Sequence, residues 1–264
     1  MRLLTLAFVV SLVFSSVGFR KYVWFISIGY GFSVAAIGVA FLVAARGQMD
    51  AACAASCVLF VLYGLRLGGY LVLRELGSSS YKAKMKTEIK SGTDMPMVAK
   101  CSIWVSAALL YAAETAPVAF RITAHAGTDG FLIAGLIISV AGLVIETLAD
   151  VQKNAAKKVN PRRFVDTGLY RIVRCPNYFG EMLFWTGVFV GGLPIYQGVV
   201  QWLVALLGYV GIIYVMFGGA RRLELRQDRT YGADPAYQRY VRATPIMIPF
   251  VPLYSVKKYA WLVA

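Results

Sequence analysis

Acidic residues, histidine and cysteine are scarce in this sequence, and each shortage excludes a class of site. The 264 residues include 13 acidic residues against 27 basic ones, one histidine and four cysteines. His125 has no metal-ligand spacing around it, and Cys53, Cys57, Cys101 and Cys175 follow neither a zinc pattern nor a disulfide pattern. We therefore expect buried thiols, no metal site and no disulfide framework.

Three further patterns are missing. The sequence has no G-x-G-x-x-G fingerprint, so we predict no Rossmann domain. The first apolar block leads to Arg20 and Lys21 instead of a small-residue cleavage site, so we expect no cleavable signal peptide. Internal repeats and low-complexity linkers are also absent, which favours one membrane-embedded domain over residues 1–264.

Long apolar blocks dominate what is present. Hydrophobic residues make up 59% of the chain, and the mean hydropathy is +0.64. Each block is near the ~20 residues that a membrane-spanning helix needs. The blocks cover residues 3–19, 23–45, 51–73, 99–120, 130–150, 178–194 and 197–217. The pattern predicts an all-α polytopic membrane protein with seven transmembrane helices.

The basic residues predict the orientation of these helices. Most lie at Arg20 and Lys21, in the loop 74–98 together with Lys100 just after it, in the loop 151–177, and in the tail from residue 218. The exceptions are Arg2, Arg46, Arg66 and Arg121. By the positive-inside rule, the N-terminus is outside and the C-terminus is cytoplasmic. The membrane is then a bacterial inner membrane, or the endoplasmic reticulum in a eukaryote.

The net charge of +14 also bears on partners. Basic residues grouped next to apolar blocks suit anionic lipid, whereas a nucleic-acid partner would need a basic face on a soluble domain. We therefore expect membrane lipid as a partner, and neither nucleic acid nor an obligate protein partner.

The stretch GLYRIVRCPNYFGEMLFW joins a basic aromatic loop to an apolar helix. It places Arg171, Arg174 and Asn177 at the membrane surface and Glu181 one turn inside. A carboxylate inside a membrane segment is costly, so it usually faces a bundle interior and marks a functional site. The neighbouring guanidinium groups suit a phosphate-rich ligand.

Two more acids lie four residues apart at the end of the fifth block. Glu146 and Asp150 would stack on one face of a helix. One interpretation is a solvated helix end that pairs with Lys153 or Lys157. The other has both carboxylates accepting hydrogen bonds from ribose hydroxyls or an amide, by chemical analogy with dinucleotide sites.

Tyr63 and Arg66 form a polar pair near the cytosolic end of the third block. Gly68 and Gly69 follow, and glycine permits close backbone approach. The pair either faces a ligand, with the phenol donating to a carbonyl, or consists of a packed aromatic ring and a snorkelling arginine.

The tail combines a basic amphipathic segment with tyrosines. It carries Arg221 and Arg222, then a turn, then Tyr237 and Tyr240. It either lies on anionic lipid or caps a cofactor pocket.

Four of these segments together resemble the steroid 5-alpha-reductase family, in the bacterial branch once known only as a domain of unknown function. They are GLYRIVRCPNYFGE, ETLADVQK, the Tyr63-x-x-Arg66 pair and MIPFVPLY. The resemblance covers roughly residues 60–255 and is specific in 146–181. It implies a seven-helix membrane reductase in which NADPH delivers hydride to the β carbon of a conjugated enone, typically a 3-oxo-4-ene steroid.

The resemblance also implies residue roles. Tyr63 is the catalytic tyrosine that contacts the ketone, and Asn177 reads the nicotinamide amide. The cofactor elements lie mainly in 146–181 and 218–254. One implied cofactor residue, Arg66, lies near Tyr63. The others lie within these two elements and are Glu146, Asp150, Lys157, Arg163, Arg171, Arg174, Asn177, Glu181, Arg221, Arg222, Tyr237 and Tyr240.

The sequence departs from the family pattern at two places. Steroid reductases carry a glutamate in the second helix that works with the tyrosine, but residues 23–45 contain no acid. Cys175 replaces the histidine of the related RHPNYFGE string. The first departure bears on the substrate, which could be a steroid, a sterol or another lipid enone.

Two other classes remain open. An S-adenosylmethionine-dependent membrane methyltransferase of the isoprenylcysteine carboxyl or phospholipid type shares an Arg-His-Pro-x-Tyr-x-Gly string, but RCPNYFG lacks the histidine and is followed by Glu181. A non-enzymatic lipid-binding protein would explain the apolar blocks but not the polar cluster of 146–181.

Overall fold

The computed structural model describes residues 2–77 and 95–263, and the regular elements in those ranges are all helical. Lys82, Lys84, Lys86 and Lys90, which contribute to the predicted orientation, lie outside the described residues. The α-helices are α1 (Arg2–Ser15), α2 (Ile28–Ala44), α3 (Ala51–Gly77), α4 (Met97–Thr123), α5 (Gly130–Val159), α6 (Pro176–Gly192), α7 (Gly198–Tyr231) and α8 (Pro235–Ala243).

Six described segments are long and apolar enough to cross a membrane. They are Arg2–Phe19, Tyr22–Ala44, Ala51–Glu75, Met97–Thr123, Gly130–Val159 and Gly198–Tyr231. For the described residues, the prediction of an all-α protein with several helices apolar enough to span a membrane is therefore confirmed. The remaining predicted span, the block 178–194, corresponds to α6, which has 17 residues. A seventh crossing and the orientation of the termini stay predictions.

Two helices run well past the apolar blocks that predicted them. The block 130–150 is the beginning of α5, which continues to Val159, and the block 197–217 is the beginning of α7, which continues to Tyr231. Hydropathy detects the apolar part of a helix only. The basic segment expected in the tail is therefore the end of α7, and α8 is the short helix after the turn.

The described chain divides into two compact units. Unit 1 comprises residues 1–136 and 188–209, and unit 2 comprises residues 137–187 and 210–264. The single domain predicted from the sequence stays a prediction.

In unit 1, α2 and α3 pack backbone against backbone. A Cβ atom on Gly64 would lie 2.2 Å from the carbonyl oxygen of Gly31 and 2.5 Å from the backbone nitrogen of Ala35. Gly68 also meets α2, at the ring of Phe32, whereas a Cβ on Gly69 would meet nothing within 4 Å. The close approach expected at Gly68 is thus present, and Gly69 takes no part in it.

In unit 2, α5 and α6 make a similar crossing. A Cβ atom on Gly180 would lie 2.6 Å from the backbone nitrogen of Glu146 and 2.7 Å from the carbonyl oxygen of Gly142. The hydroxyl of Ser139 donates a hydrogen bond to the carbonyl of Phe184 (2.9 Å) near the same crossing. The crossing brings the polar ends of the two helices together.

Candidate functional site

Unit 1 holds a group of buried tyrosines where α2 crosses α3. The Tyr63 side chain is 0% exposed, and its hydroxyl oxygen lies 3.0 Å from that of Tyr30 on α2. The ring of Tyr111, from α4, packs 4.9 Å from the ring of Tyr30, and its hydroxyl donates to the carbonyl of Phe25 (2.8 Å). Tyr63 is therefore a buried phenol in a polar contact, and Arg66, almost one turn later, is half-buried.

Unit 2 brings three carboxylates into its interior. Glu146, Asp150 and Glu181 are each less than 9% exposed. The Gly142–Gly180 crossing positions them, because Glu146 and Glu181 follow the two glycines along α5 and α6. These carboxylates form no metal-ligand cluster with other His, Cys, Asp or Glu residues of the described ranges. A buried carboxylate group of this kind suits hydroxyl and amide donors of a ligand.

The loop before α6 is held at both ends. Gly168 has φ +60°, and a Cβ there would lie 2.3 Å from Oε1 of Gln152, so the turn favours glycine for two reasons. The same oxygen accepts a hydrogen bond from the backbone N–H of Leu169 (2.8 Å). The N–H groups of Arg174 and Cys175 donate to the carbonyls of Pro245 and Ile246, both at 2.9 Å. The tail segment thus packs directly on the predicted cofactor loop.

Arg174 lies in a buried ion pair instead of at an open surface. Its Nη2 is 3.0 Å from Oε1 of Glu224, and both side chains are nearly inaccessible to water. Nη2 also donates to the carbonyl of Tyr254. The other carboxylate oxygen of Glu224 accepts from the N–H groups of Val256 (2.9 Å) and Lys257 (3.1 Å). Arg174 therefore anchors the tail to α7.

Arg174 also retains donors that suit an anion. Its Nε and Nη1 are buried and have no hydrogen-bond partner among the residues that the structure describes. Unpaired buried donors are costly, and phosphate oxygens are the acceptors that a guanidinium group pairs with best. These atoms suit an anionic ligand.

The other predicted basic residues lie further out. Lys157 donates to the carbonyls of Pro161 (3.2 Å) and Arg163 (2.5 Å) and to the hydroxyl of Tyr231 (3.0 Å). Arg163 is half-exposed and pairs with Asp166 at 2.7 Å. Arg171 is exposed, and Asn177 is half-buried at the start of α6. The implied role of Lys157, Arg163 and Arg171 near the cofactor phosphates therefore stays a prediction.

The two tail tyrosines form hydrogen bonds within unit 2. The Tyr237 hydroxyl donates to Oδ1 of Asp228 (2.9 Å), and the Tyr240 hydroxyl donates to the carbonyl of Tyr170 (2.7 Å). Burial raises the pKa of both phenols, so they stay protonated donors. Their rings pack on Phe164, with ring centroids 5.3 and 5.4 Å away. Both tyrosines thus fix the loop on which the candidate site is built.

Arg221 and Arg222 line a separate shallow cavity. Its volume is about 220 Å³, and its lining residues are Gly218, Arg221, Arg222, Leu225, Arg229, Leu262 and Val263. Nε of Arg221 donates to the carbonyl of Lys257 (3.2 Å). Of its lining arginines, Arg222 and Arg229 are exposed, and Glu224 is not among the lining residues.

Sequence reasoning missed Tyr30 and Glu224. Tyr30 lies in a long apolar block without charged residues and carries no polar pattern of its own, although Tyr30 and Gly31 repeat the Tyr63–Gly64 dipeptide of α3. Glu224 lies among basic residues in RRLELR and reads as a solvated partner of its neighbours. A helical projection of α7 that continued past residue 217 would have put Glu224 on the face opposite Arg222 and Arg226.

Comparisons with known proteins support the same family. A family model described as "Protein of unknown function (DUF1295)" matches residues 7–244. Among curated proteins, "Steroid 5-alpha-reductase DET2" of Gossypium hirsutum is 27% identical over 122 residues, which is 45% of this chain and 42% of that protein. The chain thus spans less than half the length of this relative. No solved structure matches the chain. The resemblance inferred from the sequence is confirmed.

Proposed function

This chain belongs to the DUF1295 family, and we propose that it is a membrane-embedded, NADPH-dependent reductase of conjugated enones. The substrate class is a 3-oxo-4-ene steroid or a related sterol or lipid enone. NADPH, when bound, supplies the hydride that reduces the C=C bond. The apolar substrate enters from the bilayer, and the cofactor enters from the cytosol.

The observation that carries the proposal is the buried phenol of Tyr63. Its hydroxyl is enclosed by unit 1 of a chain that is similar to a steroid 5-alpha-reductase. A phenol donates a hydrogen bond or a proton to a carbonyl oxygen, and this contact strengthens as negative charge develops on the oxygen. Burial in an apolar helix bundle keeps competing water away from the reacting carbonyl.

The residues of unit 2 would hold the cofactor. Glu146 and Asp150 accept hydrogen bonds from ribose hydroxyls, and Asn177 pairs with the nicotinamide amide. Nε and Nη1 of Arg174 bind phosphate oxygens, for which these buried donors are suited. Lys157, Arg163 and Arg171 add positive charge at the edge, and Glu181 supports the pocket from α6.

The test is NADPH oxidation by the protein purified in lipid nanodiscs, with a panel of enones that includes testosterone, progesterone and unsaturated sterols. We expect loss of absorbance at the nicotinamide band and a product saturated at the former C=C bond. Asn177→Ala should weaken NADPH binding in a fluorescence titration, and Arg239→Ala, in α8, is the control for loss of an exposed charge.

Two results would contradict the proposal. One is the absence of NADPH binding by the wild-type protein. The other is tight binding of S-adenosylmethionine with methyl transfer to a lipid carboxylate or phospholipid, which would establish the methyltransferase alternative.

A further inference from the structure

The second helix lacks the acid that steroid reductases carry there, and the structure puts a tyrosine against Tyr63 instead. Residues 23–45 contain neither Asp nor Glu. Tyr30, on α2, is 5% exposed, and its hydroxyl oxygen is 3.0 Å from that of Tyr63. This distance lies within the range of a hydrogen bond between two hydroxyl groups, at its upper end.

Backbone contacts fix the spacing of this pair. Gly31 follows Tyr30, Gly64 follows Tyr63, and the two glycines meet where a Cβ on Gly64 would be 2.2 Å from the carbonyl oxygen of Gly31. The two tyrosine rings lie 6.1 Å apart, edge to face. The helices can neither slide nor separate at this point without breaking a close-packed contact.

A third tyrosine ring, that of Tyr111, also packs on Tyr30. The ring of Tyr111 is 4.9 Å from that of Tyr30, and its own hydroxyl is engaged by the carbonyl of Phe25 at 2.8 Å. The Tyr30 ring therefore packs against two other buried tyrosine rings, which restrict the position of its hydroxyl at Tyr63.

From this geometry we infer that Tyr30 is a positioning residue for the proposed reduction, which donates a hydrogen bond to the oxygen of Tyr63 as Tyr63 gives up its proton. The inference rests on the proposed function. Hydride addition to the β carbon moves the C=C electron pair onto the ketone oxygen as an enolate. The Tyr63 O–H bond then breaks, and an enol O–H bond forms.

The Tyr30 hydroxyl stabilises the phenolate that this transfer leaves on Tyr63. The enol tautomerises to the saturated ketone, and a proton from water restores Tyr63. One hydride and one proton are consumed for each C=C bond reduced. A hydrogen bond to a charged oxygen in a buried site is stronger than one between neutral groups, so Tyr30 acts mainly in the transition state.

The test compares Tyr30→Phe with the wild-type protein in the enone assay. We expect kcat to fall about 10- to 100-fold, as for loss of a hydrogen bond to a charged group, with KM within about twofold. Tyr30→Phe should bind NADPH as the wild-type protein does, because Tyr30 is not among the residues proposed to hold the cofactor. Tyr196→Phe is the matched control, since it loses a buried hydroxyl bond in unit 1, to the carbonyl of Phe189 (2.7 Å).

A second variant separates chemistry from packing. Incorporation of 3-fluorotyrosine at position 30 keeps the ring and the hydroxyl but alters the acidity of the donor. We expect kcat to change while the thermal midpoint stays constant, which a purely structural role would not produce.

The outcomes distinguish this inference from the proposed function. If the wild-type protein reduces enones and Tyr30→Phe has an unchanged kcat, or a raised KM alone, the role of Tyr30 is overturned and the reductase proposal stands. If the wild-type protein reduces no enone, both are overturned.

Discussion

Tyr63 places a weakly acidic hydroxyl inside the apolar core of unit 1. If it is the proton donor to the enolate, Tyr63→Phe should lower kcat for enone reduction about 10²- to 10⁴-fold, the range typical of lost general acid catalysis. NADPH affinity should stay unchanged in a fluorescence titration. A variant that keeps more than a tenth of the wild-type kcat would rule out this role.

The thiol of Cys175 is buried, and this burial lowers its reactivity. Burial raises the pKa of the Cys175 thiol to about 12, so almost no thiolate is present at neutral pH. We predict that a variant with Cys175 as its single cysteine resists maleimide at pH 8 while folded and reacts after denaturation. Cys101, which is half-buried, is the matched single-cysteine control and should react faster. Equal rates in the folded protein would contradict the prediction.

The buried acids were accessible to prediction from the sequence, whereas the partners of Arg174 were not. A carboxylate within an apolar block predicts that Glu181 faces inward, and Glu181 is buried. Glu146 and Asp150, for which a solvated helix end is the alternative in the sequence, are buried too. The partners of Arg174 were not predictable, because Glu224 and residues 254–257 are distant in sequence. The buried ion pair of Arg174 forms only when the folded chain brings these distant segments together.

At the scale of elements, the α2–α3 contact should be the least tolerant of added volume. Gly64→Ala puts a methyl group against the backbone of Gly31 and Ala35, and backbone cannot rotate away. We expect a loss of about 1–3 kcal/mol, typical of overpacking, seen as a lower thermal midpoint. Gly69→Ala is the matched control on the same helix, because nothing lies within 4 Å of its added Cβ. Similar midpoints for the two variants would argue against the close crossing.

The attachment of the tail to α7 gives a second prediction. Glu224→Ala leaves Arg174 charged and buried without its carboxylate, which should destabilise the protein by about 3–5 kcal/mol. Asp166→Ala breaks the more exposed Arg163–Asp166 pair and should cost no more than about 1 kcal/mol. Thermal unfolding in nanodiscs measures both. Equal losses would mean that Arg174 is solvated.

The beginning of a helix is predicted well where that part of the helix is apolar. The block 51–73 and the helix α3 begin at the same residue. The prediction fell short for α5 and α7, because LADVQKNAAKKV and ARRLELRQDRTY are good helix formers but polar. A hydropathy pattern places the predicted end of a helix where the apolar residues stop. The observed helix continues beyond that point as long as its backbone hydrogen bonds are satisfied.

At the scale of the whole molecule, the state of α6 decides the topology. At 17 residues and a rise of about 1.5 Å per residue, α6 is roughly 26 Å long, slightly less than the ~30 Å hydrocarbon thickness. If α6 crosses the membrane, seven crossings place the termini on opposite sides, as the basic residues predict.

The topology can be tested with cysteines placed near the termini of a variant without its native cysteines. We expect a membrane-impermeant maleimide to label position 2 in intact cells and position 263 only after the cells are permeabilised. Labelling of both positions from one side would instead indicate six crossings.

The buried Arg174–Glu224 pair also constrains biosynthesis. Glu224 is fully hydrogen-bonded only when the N–H groups of Val256 and Lys257 reach it. The ribosome adds Arg174 more than eighty residues before Val256 and Lys257. During that interval the Arg174 side chain is part of the nascent chain without its complete ion pair. Unit 2 can therefore complete its fold only after translation has passed residue 257, and a translation pause before that point would leave it open to quality-control proteases.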